Sequence, residues 1–184
     1  LFSTTRGAGD DEEAARILGN SFTLLLLFGV LLTAAGLAVK TPLLRALGAS
    51  DATLPYADAY LTVYLFGSVF VSLSLGLNSF INAQGFARTG MLTVAIGAVL
   101  NLILDPLFIM VFHMGVQGAA LATILSQAVS AAWTLRFLTG RKTLVRLSLQ
   151  HMRLGARRVG KILALGLSGF IMAITNSLVQ MACN

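Results

Sequence analysis

A chain of 184 residues that is 57% apolar and only 11% charged lies outside the composition of an ordinary soluble domain. Its formal charge of +6 does not point to nucleic acid, because eight of the 13 basic residues crowd between Arg136 and Lys161 with no acid among them, the asymmetry of a loop on the cytoplasmic side of a membrane. The two histidines, His113 in a turn and His151 in the basic segment, and the single Cys183 supply neither a nucleophile–base pair nor a metal cluster, so the chain does not read as an enzyme.

In chain order, residues 3–16 form a polar connection and then the start of a helix, with Asp10, Asp11, Glu12 and Glu13 suited to the positive end of a helix dipole. Five apolar stretches follow, near 17–39, 59–81, 89–112, 116–135 and 162–184, each close to the roughly 20 residues that cross a bilayer. Thr41-Pro42 is expected to end the first helix, since the residue before proline is biased away from α, and a short amphipathic turn should follow on the outer face. In the fourth stretch Gly118, Ala122, Ser126 and Ser130 recur every four residues, a stripe that lets helices approach closely in lipid. Between 141 and 161, Val145, Leu149, Met152, Ala156 and Val159 recur at helical spacing beside Arg146, Gln150, Arg153 and Arg157. That pattern predicts an amphipathic linker helix lying on the inner leaflet. The positive-inside rule makes residues 136–161, the 10–13 connection and the Arg88 loop cytoplasmic, and turns the 40–58 and 113–117 connections outward. A chain that begins without Met and stops inside an apolar run reads as a piece of a longer protein.

Asp105 stands alone among apolar residues inside the third stretch, whereas the six other acids lie in or beside polar connections. An ionisable group at such a depth normally faces a bundle interior or a water-filled path and serves ions or substrate. Asn101 precedes it by four residues and shares its helical face. Pro106 follows, frees the carbonyl of Leu102 and should kink the helix. Carboxylate, amide oxygen and free carbonyl suit a proton or a small hard cation such as Na⁺, not a soft metal. Thr123, just beyond a tight turn, falls at a similar depth and can complete the site. The alternative is that Asp105 only bonds a neighbouring helix. Asn78, with Asn82 and Gln84, either lines a path or caps a helix. Asn176, Gln180 and Asn184 either face a substrate cavity or form an interhelical ladder, and Gln127 joins Asn78 among the cavity candidates.

The runs Asn82-Ala-Gln-Gly-Phe-Ala-Arg, Asn101-Leu-Ile-Leu-Asp-Pro-Leu-Phe-Ile and Gly115-Val-Gln-Gly-Ala-Ala-Leu-Ala-Thr-Ile-Leu-Ser-Gln, with Arg6-Gly-Ala-Gly-Asp and Leu47-Gly-Ala upstream, resemble the multidrug and toxic compound extrusion (MATE) transporters. The resemblance implies an all-α polytopic fold of twelve spans in two six-helix lobes. Residues 1–140 would be part of the N-terminal lobe, 141–161 the cytoplasmic linker helix, and 162–184 the incomplete first helix of the C-terminal lobe. It implies a secondary antiporter that exports small organic cations or drugs across a bacterial-type inner membrane in exchange for H⁺ or Na⁺. It places the family's cation site on Asn101, Asp105 and Thr123, with a further acid on a span that this chain does not contain. No cofactor beyond the coupling ion is expected, and the full-length protein should be a monomer in contact with membrane lipid. A lipid-linked oligosaccharide flippase of the same superfamily is the alternative, but it predicts a cationic central groove, and the basic residues here sit in the linker.

Overall fold

The computed structural model describes residues 1–183. Six α-helices follow one another: α1 (Phe2–Gly7), α2 (Asp11–Ala46), α3 (Leu54–Ala83), α4 (Ala87–Pro106), α5 (Gly115–Thr139) and α6 (Ala156–Cys183). Five segments of this set are long and apolar enough to cross a membrane. The residues expected to begin with a polar connection start instead with α1, whose Phe2 is buried edge-on against Phe80 at 5.1 Å between ring centroids.

Asp10 caps α2, its carboxylate accepting from the Glu13 N–H at 2.9 Å, and the acids of the first turn sit where the dipole favours them. The helix does not end at Thr41-Pro42 as the proline bias suggests. It runs on to Ala46. Pro42 lies in the last turns, where its missing N–H deprives only the carbonyl of Ala38. The same turns are tied to α3 by Lys40, whose ammonium donates to Asp58 at 2.7 Å and Thr62 at 2.6 Å.

α3 is the centre of the bundle, packed against α2 on one side and α5 on the other, while α4 leans on α5 and α3. The Gly118, Ala122, Ser126, Ser130 stripe is buried along its whole length. Where α4 crosses it, a Cβ on Gly97 would stand 2.7 Å from the Ser130 hydroxyl, which itself donates to the Thr93 carbonyl at 3.1 Å. Gly67 on α3 has a similar role, since an added Cβ would meet the Ile124 side chain of α5. Gly67→Val is therefore expected to overpack the α3–α5 seam and destabilise by about 1–3 kcal/mol. A lowered Tm of the full-length protein in detergent, restored in part by Ile124→Ala, checks this.

Pro106 closes α4, and the chain continues as one π-helical turn over Leu107–Val111. The irregularity expected at this proline thus takes the form of a widened ladder, with Phe112 N–H donating to the Leu107 carbonyl at 3.0 Å. A tight reversal follows, in which His113 and Gly115 adopt φ of 53° and 55°, and it sets α4 and α5 antiparallel.

Residues 141–161 do not form the expected linker helix. Residues 141–155 run as irregular chain with one 3₁₀ turn at Leu149–His151, and α6 begins at Ala156. Thr143, Val145 and Leu147 are buried while Leu144 and Arg146 between them are exposed. That period of two belongs to extended chain, and the apparent helical spacing of Val145 and Leu149 was coincidental. Val145 and Leu147 complete the apolar core at this end of the bundle with Leu18, Leu77, Ile81 and Leu138. α6 packs among the described elements only on α2.

Candidate functional site

The i, i+4 spacing on α4 and the tight reversal into α5 bring Asn101, Asp105 and Thr123 together. The Asn101 amide donates to Asp105 Oδ1 at 3.3 Å and to the Thr123 hydroxyl oxygen at 3.5 Å. Thr123 spends its own proton on the Ala119 carbonyl one turn back, at 3.0 Å, so its oxygen faces Asn101 as an acceptor. All three side chains are half-buried. Both bonds from Asn101 are long, so the cluster is assembled but loosely closed.

Beside it, between α3, α4 and α5, lies a cavity of about 190 Å³ whose lining includes Asn78, Asn101, Thr123, Ser126, Gln127 and Ser130. The buried amide oxygens of Asn78 and Gln127 have no hydrogen-bond partner among the described residues. Buried polar atoms are normally paired, so these two oxygens are disposed toward a proton donor or a cation. Pockets that hold drug-sized ligands measure about 300–1,000 Å³, so within this chain the cavity fits water or a small ion rather than a drug-sized organic cation. No group of three His, Cys, Asp or Glu residues among the described ones could hold a metal ion, and a site here would rest on one carboxylate and neutral oxygens.

Asn176 and Gln180 lie exposed on α6, which among the described elements packs on α2, and neither lines this cavity. Asn184 lies outside the described residues. Of the amides at the end of α3, only Asn78 reaches the cavity. Gln84 turns away to the linker, where its side-chain oxygen accepts from Thr143 Oγ1 at 2.7 Å and from the N–H groups of Leu144 at 3.1 Å and Val145 at 2.9 Å. Asn20, which nothing in the sequence pattern singled out, does the same from α2. It donates to the carbonyls of His151 at 3.3 Å and Arg153 at 3.1 Å, and accepts from Gly155 N–H at 2.9 Å. The visible signal was only an amide one turn inside an apolar span.

The sequence profile of the MatE family matches residues 1–107. Over 152 residues the chain is 32% identical to "Probable multidrug resistance protein YpnP" of Bacillus subtilis, covering 83% of this chain and 34% of that protein. With "Multidrug export protein MepA" of Staphylococcus saprophyticus it shares 27% identity over 97% of its own length and 42% of the relative's. Among solved structures, the inward-facing conformation of a multidrug resistance MATE family transporter of the MOP superfamily superposes with a TM-score of 0.84 at 32% identity, over 90% of this chain and 38% of that one. The chain thus spans well under half the length of the relatives it matches. Its helices of spanning length and these relatives together mark a multi-pass membrane protein, and the chain belongs to the MatE family.

Proposed function

We propose that this chain is part of a secondary antiporter that expels small organic cations in exchange for H⁺ or Na⁺, and that Asp105, Asn101 and Thr123 bind the coupling ion. One observation carries the reading: a half-buried carboxylate in a membrane-spanning helix is joined through Asn101 to the hydroxyl of the neighbouring span. The oxygens of Asn78 and Gln127 beside it, unpaired among the described residues, extend the site as hard, neutral ligands of the kind a proton carrier or Na⁺ uses. Exchange follows from charge balance. With Asp105 ionised the site attracts a cation, and its neutralisation by an ion from outside removes that attraction, so one bundle can rock against the other with one cargo at a time. Pro106 and the π turn place the non-regular backbone next to Asp105, where a change of ion occupancy can alter the helix. The proposal includes a bacterial-type inner membrane, with residues 136–161 in the cytoplasm by their charge, and a full-length monomer.

The test is efflux of a fluorescent organic cation from proteoliposomes holding the full-length protein, under an imposed H⁺ or Na⁺ gradient. Dye movement driven by one gradient and not by the other names the ion. Correctly folded protein that moves no dye under either gradient overturns the antiport reading.

A further inference from the structure

At the end of the bundle where α4 begins and α5 ends, a second cavity of about 470 Å³ is lined by Thr89, Trp133, Arg136, Phe137, Arg141 and Lys142, among others. Arg136, Arg141 and Lys142 are exposed, and none forms an ion pair with a described residue. No acid is available nearby in sequence to neutralise them, since the seven acids lie at 10–13, 51, 58 and 105. Three like charges gathered around one concavity focus a positive potential there, and that potential attracts an anion. The walls give the anion's character. Trp133, the one tryptophan of the chain, and Phe137 are aromatic, and tryptophan favours the membrane–water boundary. From Thr89 along α4, Leu92, Ile96 and Val99 follow at helical spacing, with Leu92 and Val99 exposed. From Arg136 along α5, Trp133 and Val129 are exposed as well. An apolar track thus leads away from the basic rim into the depth of the span.

We propose that this cavity binds the phosphate headgroup of an anionic phospholipid of the inner leaflet, with Arg136, Arg141 and Lys142 on the phosphate, the Thr89 hydroxyl as a further donor, and the acyl chains lying along α4 and α5. A basic pocket between spanning helices on the cytoplasmic side suits such a headgroup, and guanidinium forks fit phosphate oxygens in pairs. A free phosphate would leave the aromatic walls and the apolar track without a role. The site does not depend on antiport, and its binding is measured without transport.

Native mass spectrometry of the delipidated full-length protein, titrated with phosphatidylglycerol or phosphatidylcholine, reads lipid adducts directly. Arg136→Gln/Arg141→Gln/Lys142→Gln is expected to weaken phosphatidylglycerol binding on the order of 100-fold at low salt, about fivefold for each charge removed near the surface. Phosphatidylcholine binding should not change, and the control Arg146→Gln/Arg153→Gln/Arg157→Gln should retain the adduct. Arg141→Gln/Lys142→Gln lies wholly outside the helices and keeps the test valid if the triple variant fails to fold. Equal losses in both triple variants would mean diffuse attraction and overturn the site. Displacement of the lipid by millimolar inorganic phosphate would overturn its assignment to lipid.

Discussion

Asp105→Asn is expected to abolish gradient-driven efflux while leaving the folded protein intact. Asparagine has the same shape and keeps an oxygen where Asn101 donates at 3.3 Å, so the bond that ties the residue to its own helix survives. A neutral amide is also easier to hold among apolar residues than a carboxylate, so folded yield should be equal or higher. What the change removes is charge. At about 4 Å and an effective dielectric of about 20, a carboxylate attracts a monovalent cation by about 4 kcal/mol, roughly a thousandfold in ion affinity. Thr123→Val removes one neutral oxygen and should weaken ion binding only about fivefold, in line with about 1 kcal/mol for a neutral hydrogen-bonding partner. Asn101→Leu strands both Asp105 Oδ1 and Thr123 Oγ1 without their shared donor and should fall between the two. The graded series is read from efflux rate against ion concentration, with thermal unfolding measured on each variant. Equal efflux in Asp105→Asn and wild type would reduce Asp105 to a packing residue. Loss of efflux together with loss of folding in that variant would place its role in the structure of α4.

The five spans and the Asn101, Asp105, Thr123 grouping were legible in the sequence because each rests on a strong local signal. Apolar length announces a span, and an isolated acid inside one, with an amide four residues away, can point to only one face. A short turn then fixes which residues of the next helix lie at the same depth. Pro42 misled because its effect on the backbone is local, and the tie from Lys40 to Asp58 and Thr62 comes from residues about 20 positions away. The linker misled for a related reason. Its basic residues are compatible with an interfacial helix, and only the docking of Gln84 and Asn20 reveals extended chain with Thr143, Val145 and Leu147 turned inward. Asn176 and Gln180 lie four residues apart on α6. A polar stripe shows which side of α6 is distinctive, but it does not say what stands opposite.

Gln84→Ala is expected to release the linker and destabilise the protein by about 2–4 kcal/mol. Its side-chain oxygen is shared by three donors, and its amide donates to the Val145 carbonyl at 3.3 Å. Truncation strands them unequally. Thr143 keeps its bond to the Val145 carbonyl at 3.1 Å, and the N–H of exposed Leu144 can turn to water. The N–H of Val145, a residue only 2% exposed, loses its partner inside the core, where an unmet donor costs about 1–3 kcal/mol. The methylenes of the buried Gln84 side chain add the remainder. On the other flank, Asn20→Ala should act similarly through His151, Arg153 and Gly155. Arg158, which grips Glu13 through two bonds of 2.6 and 2.9 Å, is partly exposed, and such a pair contributes about 0–1 kcal/mol. Amide exchange at Val145 and tryptic cleavage between Arg141 and Arg153 should therefore accelerate in Gln84→Ala and Asn20→Ala, and barely change in Glu13→Gln. Ion affinity is expected to stay at the wild-type value in Gln84→Ala, because Asp105 lies about 27 Å along α4 from its first residue. A parallel fall in ion affinity would show instead that the mooring of the linker and the occupancy of Asp105 are two ends of one conformational equilibrium.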